Sequence, residues 1–338
     1  MGQRARPDSR ARHARRNRLE GPVNLIDADY LRQALENDVR AGLTAAPKWL
    51  PPKWFYDACG SELFTKITRL PEYYPTRREL AILKAHAREI ATVSGAATLV
   101  ELGSGTSEKT ELLLDALASA GTLRTYMPVD VDSVTLKAAA DRLSERFEVV
   151  GVCADFENHL SQLPQRPDRM VAFLGGTIGN LEPPAREVFF KELRSTLTDG
   201  ETFLLGADLV KDTSRLIAAY DDSAGVTAAF NRNVLRVINR RLDADFVPAD
   251  FAHVAIYDTD HDWIEMRLRA TKDMVVHIRA LDLTVMFAEG EEMRTEISAK
   301  FRRAGLTREL AMAGFEVERW YTDPDGDFAL VLSRAVPR

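Results

Sequence analysis

The chain has 338 residues, 45% of them hydrophobic and 28% charged, with a formal net charge of −6. That length suits one elaborated domain or two modest ones, and the composition is that of a soluble globular enzyme. The acidic balance argues against a general nucleic-acid binder, and with no apolar run of about 18 residues no membrane span is expected.

Residues 1–20 differ from everything after them. Arg4, Arg6, Arg10, Arg12, Arg15, Arg16 and Arg18 sit among small and polar residues. Such a stretch has too little apolar surface to fold and is expected to be a disordered basic tail. No apolar run follows the charges, so it does not read as a secretory signal. Cys59 and Cys153 lie far apart, form no metal-ligand spacing, and read as buried reduced thiols of a cytoplasmic protein.

The spacing of Leu31, Ala34, Leu35, Val39 and Leu43 predicts a helix from Asp27 to about Gly42, stopped by Pro47, Pro51 and Pro52. Trp54–Phe64 reads as an aromatic-rich helical segment and Leu70–Thr76 as loop. Thr76 followed by Glu79 reads as a capping box that opens a helix through about Ile90. Strand signals follow at Thr98–Leu102, Thr125–Val131, Phe147–Cys153, Met170–Leu174 and Glu201–Ala207, with helical stretches between most of them, including Pro184–Thr196. That alternation predicts an α/β, doubly wound, mostly parallel sheet with helices on both faces. From Leu209 to about Lys300 the pattern changes. A polar helix through Arg241 precedes alternating stretches at Phe251–Tyr257, Trp263–Ala270 and Met274–Leu283, which read as an antiparallel insertion. A helix near Leu306–Ala313 and a hairpin of Phe315–Tyr321 and Phe328–Ser333, turning at Asp323–Gly326, close the chain.

In such sheets ligands sit beyond the carboxyl ends of the strands. Those ends carry Glu101–Gly105, Asp130–Asp132, Asp155–Phe156, Gly175–Asn180 and Asp208. At the first, Glu101-Leu-Gly-Ser-Gly-Thr-Ser-Glu-Lys-Thr110, close glycines let a ligand lie against bare backbone. A dinucleotide turn wants a third glycine where Glu108 stands, and a phosphate loop wants its second glycine there too. Two acids near the turn, Glu101 and Glu108, suit a ligand that is not an anion. S-adenosylmethionine, with a sulfonium, an ammonium and no phosphate, fits better, while a nucleotide or a glycine turn without a ligand stay open. Asp130 is placed to accept both ribose hydroxyls, or else to cap the next helix. Asp155 can take the adenine amino group while Phe156 packs on the base, or the two are an acidic loop beside a core ring. Lys109 reaches the cofactor carboxylate or lies on the helix surface. Asn180 offers donors and an acceptor where the acceptor's reacting atom would meet the methyl group, and otherwise caps the helix beginning near Pro183.

Trp54-Phe-Tyr-Asp57, Leu70-Pro-Glu-Tyr-Tyr-Pro-Thr-Arg77, the glycine segment 101–110, Gly176-Thr-Ile-Gly-Asn-Leu181, Ala219-Tyr-Asp-Asp222 and Gly290-Glu-Glu-Met-Arg-Thr-Glu-Ile-Ser298 together resemble the bacterial histidine Nα-methyltransferase family. The resemblance runs from about residue 24 to the C-terminus. It implies transfer of three methyl groups from S-adenosylmethionine to the α-amino nitrogen of L-histidine, giving hercynine for ergothioneine biosynthesis. It implies a seven-stranded methyltransferase sheet (78–211 plus 299–338) with a smaller α+β substrate domain (24–77 plus 212–298). It implies that Gly103, Lys109, Asp130, Asp155 and Phe156 hold the cofactor. Tyr73, Asn180, Tyr220, Glu296 and Ser298 would hold histidine, with Tyr56 near the amine and Met266 lining the side-chain pocket. Gly176 departs from the serine expected in that motif.

The residue chemistry agrees with this. On a strand Glu296 and Ser298 face one side and suit the two nitrogens of an imidazole. Without the resemblance, Glu296 reads as one more exposed acid beside Glu291 and Glu292. The amine must shed a proton before it attacks, and a dry pocket favours the neutral form. The motifs offer no strong base, so Tyr56 and Asn180 are expected to orient the amine, with catalysis by positioning and desolvation and without a metal. A monomer is expected. The competing readings are the same chemistry on an aromatic amino acid, a nucleotide-binding module, and a non-catalytic S-adenosylmethionine-binding regulator.

Overall fold

Strands and helices alternate as the glycine and proline punctuation requires. The computed structural model describes residues 23–337, so the arginine-rich tail expected at 1–20 lies outside the described residues. In chain order the N-terminal part holds β1 (Val23–Asn24), α1 (Ala28–Thr44), α2 (Ala58–Ile67) and α3 (Pro75–Ser94). The alternating part holds β2 (Thr98–Leu102), α4 (Glu111–Ser119), β3 (Thr125–Asp130), α5 (Ser133–Leu143), β4 (Glu148–Val149), β5 (Val152–Cys153), β6 (Arg169–Phe173), α6 (Pro183–Thr196) and β7 (Thr202–Asp208). The insertion holds α7 (Thr213–Tyr220), α8 (Val226–Leu242), β8 (Phe251–Asp258), β9 (Trp263–Ala270), β10 (Met274–Ile278), β11 (Leu283–Phe287) and β12 (Glu292–Ala299). Then come α9 (Arg303–Met312), β13 (Phe315–Thr322) and β14 (Phe328–Ala335).

The main sheet runs β1-β5-β3-β2-β6-β7-β14-β13, with β4 beside β3. It is parallel from β1 to β7, and β14 pairs antiparallel with both β7 and β13. The seven expected strands are all present, extended by the two-residue strands β1 and β4. Every residue of β2, β6 and β7 is buried, because helices cover both faces. One face packs Val100, Val129, Phe173 and Phe203 under α6 and α9; the other packs Leu99, Tyr126, Met170 and Leu204 under α3 and α4. From β2 the chain winds outward through β3 and β5, then returns to the other side of β2 at β6. The crevice at that reversal is where this architecture binds ligands.

A third core is built from Leu35, Val39, Trp54, Phe55, Phe230, Val234, Phe251, Leu268 and their neighbours. It joins the first helices to the insertion, whose strands form a sheet ordered β12-β9-β8 and a separate hairpin β10-β11. The insertion leaves and rejoins the main sheet at one point. There the Phe301 N–H donates to the Asp208 carbonyl (2.8 Å) and the Val210 N–H donates to the Phe301 carbonyl (3.1 Å).

Four expectations are corrected. Phe147–Cys153 splits into two short strands, and Met274–Leu283 is a strand and a short 3-10 turn that lead into a second strand. The helix at 75 starts on Pro75 with Tyr74 at its N-cap and no capping side chain, so Thr76 and Glu79 form no capping box. Cys153 is buried but Cys59 is exposed.

The turn after β6 docks against the end of β12. A Cβ at Gly179 would stand 2.9 Å from the Ala299 carbonyl oxygen and 3.1 Å from its nitrogen, both backbone atoms. A Cβ at Gly305, inside α9, would meet open space. Gly179→Ala is therefore expected to lower stability by ~1–3 kcal/mol in urea unfolding. Gly305→Ala should raise it by ~0.5–1 kcal/mol. Equal effects would show that the close approach at 179 is unimportant.

Candidate active site

The glycine turn after β2 is held from beneath. Gly103 (φ +64°), Gly105 (+50°) and Ser107 (+56°) all take left-handed backbone. Below them the buried Glu101 carboxylate accepts from Thr110 Oγ1 and the Tyr126 hydroxyl, and Tyr126 lies 2.8 Å from Ser107 Oγ. Burial pushes Glu101 up to about 7, against the pull of those hydrogen bonds. Glu101, expected from sequence to sit beside the ligand, is thus a brace under the turn.

Around the turn stand groups with free capacity. Asp130, at the end of β3, accepts from the Gly105 N–H (2.9 Å) and the Asp132 N–H (3.0 Å), one on each oxygen, which leaves lone pairs on both. Burial raises its pKa. A Cβ at Gly103 would come 3.8 Å from the Phe156 ring, so the bare backbone and that ring share one wall of the crevice. Phe156 is fixed edge-on against Phe173, with centroids 5.0 Å apart. Asp155 is tied to Tyr30 of α1 (3.0 Å), Asn158 (3.0 Å) and the Glu157 N–H (2.9 Å). The buried Ser104 hydroxyl has no partner among the described residues. A side-chain-free floor, an orphaned hydroxyl, an acid with spare lone pairs and an aromatic face fit S-adenosylmethionine, the last two its nucleoside.

Glu79 joins this half of the site to the next. Its buried carboxylate pairs with Lys109 and accepts from the Gly175 N–H (2.7 Å). It lies directly over Gly206, where any side chain would collide with it. A helix face, the glycine turn and the acceptor turn therefore meet on one buried acid. The signal for it was available: position 79 shares the face of Ile82, Leu83 and Ile90, and an acid inside an apolar stripe needs a partner.

On the acceptor side, Gly175 (φ +81°) and Gly176 (+72°) lead into the turn Thr177–Asn180. The left-handed backbone at 176 suits the glycine that stands there in place of the expected serine. Helix α6 is capped at Glu182, so Asn180 is not its cap, and its side chain has no hydrogen-bond partner among the described residues. Tyr56, Tyr73, Tyr220 and Glu296 form a cluster close enough for each to act electrostatically on the others. Burial raises Tyr56 well above the ordinary tyrosine range, helped by Glu296, Tyr73, Tyr220 and Asp130. Burial, Tyr220 and Glu296 do the same to Tyr73. Tyr56 is nevertheless 41% exposed, its ring held edge-on by Phe64 and Phe230.

Strand β12 carries a bulge at Thr295, so that Arg294 stands opposite Arg267 but Glu296 stands opposite Met266. From there the register is regular, and Glu296, Ser298 and Met266 share one face. Ser298 Oγ lies 2.7 Å from the Tyr220 hydroxyl. Burial pushes Glu296 up to about 8, although Lys300 pulls it down. The structure thus brings Gly103, Lys109, Asp130, Asp155, Phe156, Asn180, Tyr56, Tyr73, Tyr220, Met266, Glu296 and Ser298 around one crevice. Sequence reasoning missed Glu79 and Lys300. Elsewhere, Asp323, Asp325 and Asp327 cluster on the last hairpin but are met by Arg78, and Asp327 also by Arg215.

A parallel sheet closed by an antiparallel hairpin, with a glycine turn at the reversal and an acid ending the next strand, defines a methyltransferase that uses S-adenosylmethionine. The family model described as "Histidine-specific methyltransferase, SAM-dependent" matches residues 35–335, and the chain belongs to that family. It is 56% identical over 314 residues to the histidine N-alpha-methyltransferase of Mycolicibacterium smegmatis, covering 92% of this chain and 98% of that one. It is 54% identical to the enzyme of that name from Mycobacterium tuberculosis, with the same coverage. A more distant relative is the 4-dimethylallyltryptophan N-methyltransferase of Claviceps purpurea, 28% identical over 62% of this chain and 65% of that one.

The Glu296 shift has a thermodynamic consequence. An unfolded chain releases this proton near 4.5 and the folded chain near about 8. Between those values the folded state holds more protons, so its stability falls as pH rises. Wild-type protein should lose more unfolding free energy than Glu296→Gln between pH ~5 and ~8. Urea titrations at the two pH values check this, and equal losses would show that Glu296 ionises freely in the fold.

Proposed function

We propose that this protein transfers three methyl groups from S-adenosylmethionine to the α-amino nitrogen of L-histidine, producing hercynine for ergothioneine biosynthesis. The observation that carries the reading is the set of Glu296, Ser298 and Met266 on one face of the insertion's sheet, with Glu296 buried and Ser298 joined to Tyr220. A carboxyl group and a hydroxyl on one face match the two nitrogens of an imidazole. An indole ring has one N–H and no ring lone pair, so it could meet the carboxyl group but would leave the hydroxyl unpaired, at a cost of about 1–3 kcal/mol. That cost separates this pocket from one built for a purely aromatic side chain.

Each residue has one task in this reading. Gly103 and the Ser104 hydroxyl receive the cofactor's amino-acid end, with Lys109 held toward its carboxylate by Glu79. Asp130 accepts the ribose hydroxyls, Asp155 the adenine amino group, and Phe156 packs on the base. S-adenosylmethionine, when bound, supplies the sulfonium methyl. Asn180 and Tyr56 hold the amine in line, and Tyr73 and Tyr220 hold the rest of the amino acid. The raised Tyr56 pKa means that its hydroxyl keeps its proton at neutral pH and is not a strong base. Rate enhancement then comes from holding a neutral amine against the methyl in a site shielded from water. We further propose that 78–211 plus 299–338 bind the cofactor while 24–77 plus 212–298 bind histidine, and that the protein acts as a monomer in the cytoplasm. No described helix is long and apolar enough to cross a membrane.

Incubation with S-adenosylmethionine and a mixture of amino acids, followed by mass spectrometry, should show histidine alone gaining three methyl groups. A gain on another amino acid, or none, would sink the reading. Glu296→Ala should raise the histidine KM more than about tenfold while calorimetry shows unchanged binding of S-adenosylhomocysteine. Asp130→Ala should weaken that binding by about tenfold or more. If each variant moves the other quantity instead, the assignment of the two half-sites is reversed.

A further inference from the structure

A buried lysine lies directly behind the ring-binding wall. The Lys300 side chain is fully buried. Its ammonium lies 2.8 Å from Ser298 Oγ, 3.1 Å from the Tyr220 hydroxyl and 2.9 Å from Asp208 Oδ2. An ammonium has three protons, so these three acceptors use all of them. Asp208 balances the charge and is itself held by the Tyr74 hydroxyl (2.8 Å) and by Lys211 (2.5 Å). This arrangement cannot rotate without stranding a buried charge, which fixes Lys300 in place.

The fixed cation determines what the two hydroxyls can offer. Ser298 and Tyr220 bring two hydroxyl protons between them. One lies in the 2.7 Å hydrogen bond that joins the two oxygens. Each oxygen accepts from Lys300, and one of them also accepts from the other. The oxygen that accepts twice has no lone pair left, and its own proton must point out of the pair. Whichever way the shared proton lies, the hydroxyl with the outward proton is a donor only, and the one lone pair left over belongs to the other oxygen, whose own proton is already used within the pair.

We propose that Lys300 is a specificity-determining positioning residue: by filling acceptor sites on Ser298 and Tyr220 it makes their outward hydroxyl a donor, so the pocket demands a ring atom with a lone pair. A neutral imidazole supplies that lone pair on one nitrogen and an N–H for Glu296 on the other. A ring with an N–H and no lone pair, such as pyrrole, presents nothing to the donor. A charged imidazolium presents a second N–H to it and also faces the buried cation. The inference rests on the reading that Glu296 and Ser298 hold the acceptor's ring.

The test compares kcat/KM for histidine with that for pyrrolylalanine, in which a pyrrole replaces the imidazole. Wild-type protein should prefer histidine by about 100-fold or more. Lys300→Met frees acceptor capacity on the hydroxyl pair and should cut that preference by about tenfold, mostly through a higher histidine KM. Binding of S-adenosylhomocysteine should stay within about twofold, because Lys300 does not reach the glycine turn. Should Lys300→Met leave Asp208 too poorly balanced to fold, Asp208→Asn/Lys300→Met removes both charges and is judged by the same ratio. A preference unchanged within about twofold in the variant that folds overturns the proposal. A wild-type protein that does not methylate histidine overturns the assignment of function instead.

Discussion

Two backbone hydrogen bonds, Phe301 to Asp208 and Val210 to Phe301, are where the separate parts of this molecule become one site. They bind the end of β7 to the segment that returns from β12. That anchor point lies at the carboxyl edge of the parallel sheet, beside the reversal between β2 and β6. The insertion therefore projects from the place where this fold presents ligands. Ser298 and Glu296 stand a few residues before the anchor on one side and Asp208 immediately at it on the other. A donor bound along the glycine turn and an acceptor bound by the insertion must then meet above the acceptor turn, which packs on Ala299 through Gly179.

The crevice is expensive to build. Glu79, Glu101, Asp130, Asp208, Glu296 and Lys300 are ionisable groups drawn out of bulk water. Burial drives Glu101, Asp130 and Glu296 toward their neutral forms, while the two lysines beside Asp208 hold it below the usual carboxylate range despite burial. The carboxylates inside the frame are largely matched: Glu79 by Lys109 and Gly175, Glu101 by Thr110 and Tyr126. Glu296 is different: among the described residues no donor hydrogen-bonds its carboxyl, and Lys300 acts on it only through its charge. A group stabilised in the frame rigidifies it; a group left short of partners at the surface of a cavity is a binding contact in waiting. That distinction separates the brace from the binding wall more clearly than residue type does.

Much of the fold was legible because glycine and acid punctuate the strands. Thr98–Leu102 and Trp263–Ala270 carry the boundaries read from sequence, and the order of elements through β7 follows from alternation alone. The misreadings have local causes. In Met274–Leu283 the periodicity continues across Arg279–Leu281, but Asp282 takes a left-handed backbone (φ +47°) and the chain folds back there. At Glu79 a local capping pattern competed with a partner 30 residues away, which no local rule can see. The residues proposed to hold the ring were reachable only through family resemblance, because Glu296 sits in a run of acids that alternation alone assigns to solvent. Lys300 gave no signal of its own; a lysine near a strand end is ordinarily a solvated one.

Strand β12 has two halves of opposite parity. Before Thr295, Glu292 and Arg294 point to the outer surface and pair with Arg267, Arg269 and Glu182. Thr295 turns inward, its hydroxyl 2.6 Å from Asn231 Oδ1 and 3.0 Å from the Met266 carbonyl. The extra residue then brings Glu296 to the inner side as well. A strand of unbroken pleat would have sent Glu296 outward to join the surface acids. If Glu296 holds the acceptor's ring as proposed, acceptor specificity here is set partly by residue count. Gaining or losing one amino acid in a single strand would exchange the inner and outer faces, and point changes at 292 or 294 leave the interior alphabet untouched.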